Sequence, residues 1–274
     1  MPQIEPKQRI SFVRGEVLQV RNQVSFGHGS SVGMVRETNE DYHRVKLFQT
    51  AKGQLSFLAV ADGMGGAAAG EHASKLAIDT VTKAIEQYVE FINSGRGAIP
   101  LEKALEKSIL AANKQIYKMS MDHLERSGMG TTLTVAIVYG TQLLLGHVGD
   151  SRGHLIRKNM IKQITKDHSW VQAQVDSGTM TLEAAENHQY RNLLLQALGT
   201  KPNVTPEIKI MQVMAGDMIV LCSDGLHGLV KEEELRAELA RSSNLQSAID
   251  YWIGLAESRG APDNVTVVVA RIGS

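Results

Sequence analysis

The segments LSFLAVADG and GDMIVLCSDG each run an apolar stretch into Asp-Gly, at Asp62-Gly63 and Asp224-Gly225. LLLGHVGDSR delivers Asp150 in the same manner. APDNVTVVV sets Asp263 just ahead of an apolar run, and RETNEDYHRV sets Glu40 and Asp41 ahead of another. A single aspartate of this kind is an ordinary turn residue, because Asp-Gly and Asp-Asn favour turns by themselves. Five such segments shift the balance, since antiparallel strands bring the end of one beside the start of the next, on one edge of a sheet. Gathered carboxylates repel and raise one another's pKa values unless cations neutralise them. The chemistry this predicts is a metal site.

All the candidate donors are oxygens, and the histidines lack a close ligand pair such as His-x-x-x-His. Oxygen donors suit Mg²⁺, Mn²⁺ or Ca²⁺ better than Zn²⁺. Gly63 has no side chain, so its carbonyl can approach a metal closely, and Gly65 and Gly66 permit a sharp turn beneath it. Arg36, four residues before Glu40, is either a surface arginine or a guanidinium suited to bidentate phosphate binding. Carboxylates, cations and arginine together imply metal-assisted hydrolysis of a phosphate ester. The glycine loop offers two other readings, and both fail. Gly63-Met64-Gly65-Gly66-Ala67-Ala68 satisfies the G-x-G-x-x-G/A pattern, but a second helix rather than a parallel strand follows, and Asp62 would repel a pyrophosphate. As a P-loop it lacks the lysine and the Ser or Thr.

These residues need strands to carry them. Short β-like runs start at Val24, as VSFGHGSSVG, DYHRVKLFQT and GQLSFLAVAD. Two long helices follow, one predicted over about 71–92 from its apolar spacing of three and four, the other over about 101–124 behind Pro100. Strands return in TTLTVAIVYG, TQLLLGHVGDSR, GHLIRK and MIKQIT, joined by turns short enough for hairpins. DHSWVQAQVDSG and TLEAAENHQYRNLLLQALG read as short helices. VTPEIKIMQV and GDMIVLCSDG are strands, KEEELRAELA and NLQSAIDYWIGLAESRG helices, and NVTVVVARI a closing strand. Strands and helices in runs, without strict alternation, predict an α+β domain on antiparallel sheets. Ahead of it, RISFVRGEVLQV has the alternation of a hairpin turning at Arg14-Gly15-Glu16.

The 274 residues are enough for one large domain, and 43 % hydrophobic with 21 % charged residues is an ordinary globular balance. Lys plus Arg and Asp plus Glu both total 29, so no global basic excess marks a nucleic-acid binder. Cys222, the lone cysteine, sits in an apolar run and reads as core packing in a reducing compartment. No run approaches the roughly 18 apolar residues of a membrane span, and the N-terminus has no secretory apolar region. The expectation is a cytoplasmic protein with no membrane contact.

The motifs VRETNEDY, VADGMGGAAAGEHAS, GMGTTLTVAIV, HVGDSRGHLI, TKDHSWVQAQVDSGTMT, RNLLLQALGT, LCSDGLHGLV and APDNVTVVV stand in one order from about Val24 to the end. In that order the sequence closely resembles the metal-dependent protein phosphatases of type 2C (PPM), in their bacterial serine/threonine form. The resemblance implies a four-layer α-β-β-α sandwich, two antiparallel sheets flanked by helices. It implies an N-terminal extension over 1–23, a catalytic domain over 24–274 and a flap over about 165–200 that influences substrate choice. Two Mn²⁺ or Mg²⁺ ions are implied, with room for a third. Asp62, Asp224 and Asp263 match ligands of one, Glu40, Asp62 and the Gly63 carbonyl match ligands of the other, and Asp150 matches a ligand of the third, looser site. Asp41 matches a residue that holds metal-bound water, and Arg36 the phosphate-binding arginine. The reaction implied is hydrolysis of phosphoserine and phosphothreonine by a water bridging two metal ions. Its partners would be phosphorylated proteins made by a serine/threonine kinase, in signalling, with the enzyme a monomer.

The sequence departs from the eukaryotic pattern at Met64, where a proton-donating histidine often stands. A water must then protonate the leaving group. The competing reading is an inactive phosphatase-like module that binds phosphoproteins or a regulator, but every implied carboxylate is present. His28, His43 and His72 are expected to be structural or surface residues. His188 is expected either to contact substrate or to pack a helix, and Trp170, Met119, Met121 and Met129 to serve packing.

Overall fold

The computed structural model describes residues 24–122, 124–126, 128–242 and 244–273. The extension over 1–23, with its expected hairpin, lies outside the described residues. One sheet has the order β1 (Val24–Ser31), β12 (Val265–Ile272), β11 (Met218–Cys222), β8 (Arg152–Arg157), β9 (Met160–Gln163). The other runs β10 (Glu207–Gln212), β7 (Gln142–Val148), β6 (Leu133–Tyr139), β3 (Gly53–Ala61), β2 (Tyr42–Thr50). Every pairing in both is antiparallel. A two-stranded ribbon of β4 (Gly63–Met64) and β5 (Gly130–Thr131) stands apart.

Alternate side chains of a strand point to opposite faces, and here both faces are buried. On β3, Phe57, Ala59 and Ala61 join the core beneath α1 (Ala67–Asn93) and α2 (Leu101–Asp122), while Leu58 and Val60 face the other sheet. On β11, Val220 and Cys222 meet α5 (Asp224–His227), α6 (Glu232–Arg241) and α7 (Leu245–Ser258), while Ile219 and Leu221 turn inward to Leu58 and Val60. Three cores therefore separate four layers, α-β-β-α. Two-faced burial also explains why these strands read as unbroken apolar runs. Cys222 is fully buried, as expected.

Register decides the position of the carboxylates. Tyr42 opposes Ala61, and Val60 opposes Thr134, so the start of β2, the end of β3 and the start of β6 coincide. Leu133 opposes Val148, which adds the end of β7. In the other sheet Cys222 opposes Val267 and Arg152, and Ser31 opposes Val265. Glu40, Asp41, Asp62, Asp150, Asp224 and Asp263 all follow or precede these aligned ends.

Some elements differ from expectation. The first long helix starts four residues earlier, at Ala67, directly behind Gly65 and Gly66, whose positive φ angles (118° and 89°) turn the chain. The second ends at Asp122, and Leu124–Arg126 forms a separate 3-10 turn. Of the stretch read as a helix over 181–199, only α4 (Leu182–Glu186) is helical. Beyond it, Leu194 and Leu198 bridge to Ser169 and Thr131, and these backbone pairings override the helix propensity of the leucines. α3 (Trp170–Asp176) forms as predicted, capped by the Ser169 hydroxyl on the Gln172 N–H. Met129 is buried and Met119 packs on the helix-side core, but Met121 is 68 % exposed and contributes no packing. His28 Nδ1 and His43 Nε2 meet at 3.0 Å between the edge strands β1 and β2, a structural role. No helix among the described residues is long and apolar enough to cross a membrane.

Candidate active site

The aligned strand ends open into a cleft of about 560 Å³. Arg36, Glu40, Asp62, Gly63, Asp150, Asp224 and Asp263 all line it, as does Met64. Asp41 does not. It lies behind the cleft wall, buried, with Oδ2 accepting the Ser223 hydroxyl at 2.7 Å. The same hydroxyl accepts the Thr266 N–H at 3.0 Å, so Asp41 is fixed to the start of β12.

Each lining residue has its own support. The Asp62 N–H donates to Thr132 Oγ1 at 2.9 Å, and its carbonyl accepts from Thr131 Oγ1 and the Thr132 N–H, both at 2.9 Å. Thr132 Oγ1 in turn lies 2.7 Å from Ser151 Oγ, next to Asp150. The Asp150 carbonyl accepts from His227 Nε2 at 3.0 Å. Glu40 is held by its backbone, with its N–H on Asn264 Oδ1 (2.8 Å) and its carbonyl on Ser74 Oγ (2.6 Å) and the Gly63 N–H (3.2 Å). Asn264 Nδ2 donates to the Val32 and Thr38 carbonyls, both at 2.9 Å, and so pins the loop that carries Arg36. A methyl group at Gly63 would strike the Gly70 and Glu40 carbonyls, and one at Gly70 would overlap Glu40 Oε2. At Gly63 the obstacle is backbone and glycine is obligatory, whereas at Gly70 an added methyl would push the Glu40 carboxylate aside.

Sequence reasoning missed Thr131, Thr132, Asn264 and Gly70. The tandem threonines and the Asp-Asn pair were visible, but the bonds that matter span from about 70 to more than 220 residues. Asn192 to Leu195, within the segment that the resemblance marks as a flap, form a second wall of the cleft with Lys201, although none of them was singled out as a site residue. His188 does not line the cleft but packs on α3, the second of its two expected roles. Its ring lies 5.1 Å from Trp170 and 5.5 Å from Tyr190. Trp170 thus belongs to this aromatic group.

The electrostatics are those of an acidic site. Five carboxylates and two cationic side chains, Arg36 and Lys201, line the cleft. Burial, then Asp41, Asp224 and Asp150, raise the Asp62 carboxyl well above its ordinary value. Burial and Asp224 push Asp150 up to about 8. Burial raises Asp41 to about 7 against the opposing Thr266 and Ser223 hydroxyls. Burial also raises Glu40, and Arg36 opposes this. Arg36 Nη2 contacts Asp263 Oδ2 at 2.8 Å and Nη1 lies 4.0 Å from Glu40 Oε1, so the guanidinium stands between two candidate ligands. Among the described residues no three acidic, histidine or cysteine side chains converge as tightly as a bound ion requires.

The residues nevertheless fit a hard divalent cation. Asp224 Oδ1 is buried without a hydrogen-bond partner. Asp224 stands near enough to Asp62 to raise its carboxyl, and two neighbouring carboxylates at such a site are tolerated only with a proton or a cation between them. The donor set is all oxygen, as Mg²⁺ and Mn²⁺ prefer.

The family model for protein phosphatase 2C matches residues 29–257. The chain belongs to this family. It is a phosphatase, in line with relatives such as the serine/threonine phosphatase stp of Listeria monocytogenes serotype 4b (strain F2365). That protein is 36 % identical over 237 residues, covering 86 % of this chain and 91 % of the relative. The serine/threonine phosphatase PstP/Ppp of Mycobacterium tuberculosis superposes with a TM-score of 0.79 at 37 % identity, over 92 % of this chain and 99 % of that one. The catalytic domain of PstP in complex with two manganese ions superposes with a TM-score of 0.74 at 36 % identity, over the same shares.

Proposed function

We propose that this chain is a metal-dependent protein serine/threonine phosphatase acting at the carboxylate cleft, on proteins phosphorylated by a serine/threonine kinase. The observation that carries this reading is the convergence of Glu40, Asp62, Asp150, Asp224 and Asp263 on one cleft, with Asp224 Oδ1 buried and unpartnered. Asp62, Asp224 and Asp263 would hold one cation, and Glu40, Asp62 and the Gly63 carbonyl a second. Asp150 would serve a third, looser site. The two manganese ions of the related PstP domain support Mn²⁺. Bound there, the cations would lower the pKa of a nucleophilic water and neutralise phosphate charge.

The chain's own residues do the rest. Arg36 offers a planar guanidinium at the cleft, suited to grip two phosphate oxygens and fix the phosphorus for in-line attack. Asp41, held by Ser223, orients the nucleophilic water from behind Asp62 and Asp224. Thr131 and Thr132 keep the Asp62 backbone still. The Met64 thioether has no proton to give, so the leaving alkoxide takes one from cleft water. Residues 24–274 form the catalytic domain, and the segment over about 165–200 acts as a flap, a reading supported by the cleft residues it supplies.

The test is hydrolysis of a phosphothreonine peptide. Mn²⁺ should stimulate it, EDTA should abolish it and added Mn²⁺ restore it. Asp62→Asn should fall to background while its circular dichroism stays native. Full activity in that variant would sink the assignment, and binding without any turnover at saturating Mn²⁺ would favour an inactive phosphoprotein-binding module.

A further inference from the structure

The cleft of about 560 Å³ lies within the roughly 300–1,000 Å³ of sites that enclose ligands far larger than a phosphoryl group. Its second wall sets a run of leucines between Asn192 and Lys201. Leu193 and Leu195 line the cleft yet remain 49 % and 41 % exposed, so neither is needed to fill a core. Apolar surface beside a polar reaction centre is the usual composition of a recognition site.

This wall is positioned, not loose. The Leu193 carbonyl accepts the Trp170 N–H at 2.8 Å, and the Leu195 N–H donates to the His168 carbonyl at 2.8 Å. Leu194 bridges to Ser169. At the base of the wall Leu198 exchanges both backbone bonds with Thr131, at 2.8 and 3.0 Å. Thr131 is also the residue whose hydroxyl holds the Asp62 carbonyl. One residue therefore registers the leucine wall against the reacting end of the cleft. Lys201 Nζ donates to the Leu195 carbonyl at 3.3 Å and closes the segment.

We propose that Leu193 and Leu195 form a specificity subsite that selects phosphoproteins carrying a bulky apolar side chain beside the phosphorylated residue. The proposal rests on the carboxylate cleft being the phosphatase site. A phosphoryl group seated near Arg36 and the carboxylates leaves its peptide to run along the same cleft, where a flanking leucine or phenylalanine covers the two exposed leucines. An alanine leaves them in water.

The experiment uses the full chain with Mn²⁺ and two phosphothreonine peptides that differ only in having leucine or alanine on both sides of the phosphorylated residue. The leucine peptide should show a kcat/KM roughly tenfold higher, a ratio typical of a hydrophobic pocket reading side-chain size. Leu193→Ser and Leu195→Ser, made singly and together, should bring the ratio toward one, chiefly through KM, with an unchanged melting temperature. A merely structural role would lower both peptides alike and keep the ratio. Equal turnover of the two peptides by the wild-type enzyme, or a ratio that survives both substitutions, overturns the subsite alone. Failure to hydrolyse either peptide overturns the reading of the cleft and the subsite with it.

Discussion

Asn264 holds Glu40, Val32 and Thr38 with one carboxamide, using Oδ1 as acceptor and Nδ2 as a double donor. A side chain saturated in this way fixes the loop that presents Arg36 and Glu40 to the cleft. Asn264→Ala should leave these buried groups unpaired, at about 1–3 kcal/mol of stability. Residues that position metal ligands typically cost about 10–100-fold in activity or metal affinity when lost, and that range is expected here. Denaturant unfolding and Mn²⁺ titration of the same variant would check both numbers. Asn264→Asp should rescue neither, because a carboxylate cannot donate to two carbonyls.

At the scale of elements, α1 has an unusual constraint in its first turn. Replacing a helical glycine by alanine ordinarily stabilises a helix by about 1 kcal/mol. At Gly70 the added methyl would overlap Glu40 Oε2, so Gly70→Ala should displace Glu40 and weaken Mn²⁺ binding, with the fold kept. Isothermal calorimetry would show it, and an affinity equal to wild type would refute it. The strands, and the carboxylates at their ends, were legible in the sequence because two-faced burial writes each strand as an apolar run with a polar stop. The leucine run over 193–195 was not, because local propensity favours helix and only a distant segment, His168 to Trp170, holds it out of one. Asn264 and Gly70 were illegible for a related reason. Their roles consist of contacts with Glu40, and a linear reading has no access to who meets whom.

For the whole molecule, buried histidines and buried carboxyls respond to acid in opposite senses. Burial, then His168, depresses His147 to about 3, where it bonds Thr134 Oγ1 and the Lys166 carbonyl. Burial and His28 depress His43 to about 4. Below pH 6.5 the unfolded chain takes up protons that these folded imidazoles refuse, so their contribution to stability is full above that value and falls as pH drops toward 3–4. Asp167 adds to this at lower pH: burial opposes its ionisation, but the Arg152 guanidinium outweighs burial and lowers its carboxyl. Its stability contribution is lost as pH falls through its depressed pKa. The carboxyls of Asp41, Asp62 and Asp150, raised in the fold, act in the opposite sense over the same range, so the histidine contribution is read by difference. Melts of the wild type and of His147→Gln from pH 7 to pH 4.5 should diverge by a few degrees, since 1 kcal/mol moves a domain of this size roughly 2–4 °C. An identical slope in the two would assign the effect elsewhere.

The two sheets share no backbone ladder, yet the acidic residues at their common edge come from both, Asp62 from one and Asp224 and Asp263 from the other. Anything that binds across this edge therefore joins the two halves of the sandwich, and its binding free energy is added to the folding free energy of the whole chain. The melting temperature thus becomes a reporter of occupancy. A library of phosphopeptides could be ranked by thermal shift on a turnover-deficient variant, which makes the fold itself a means of finding the natural substrate.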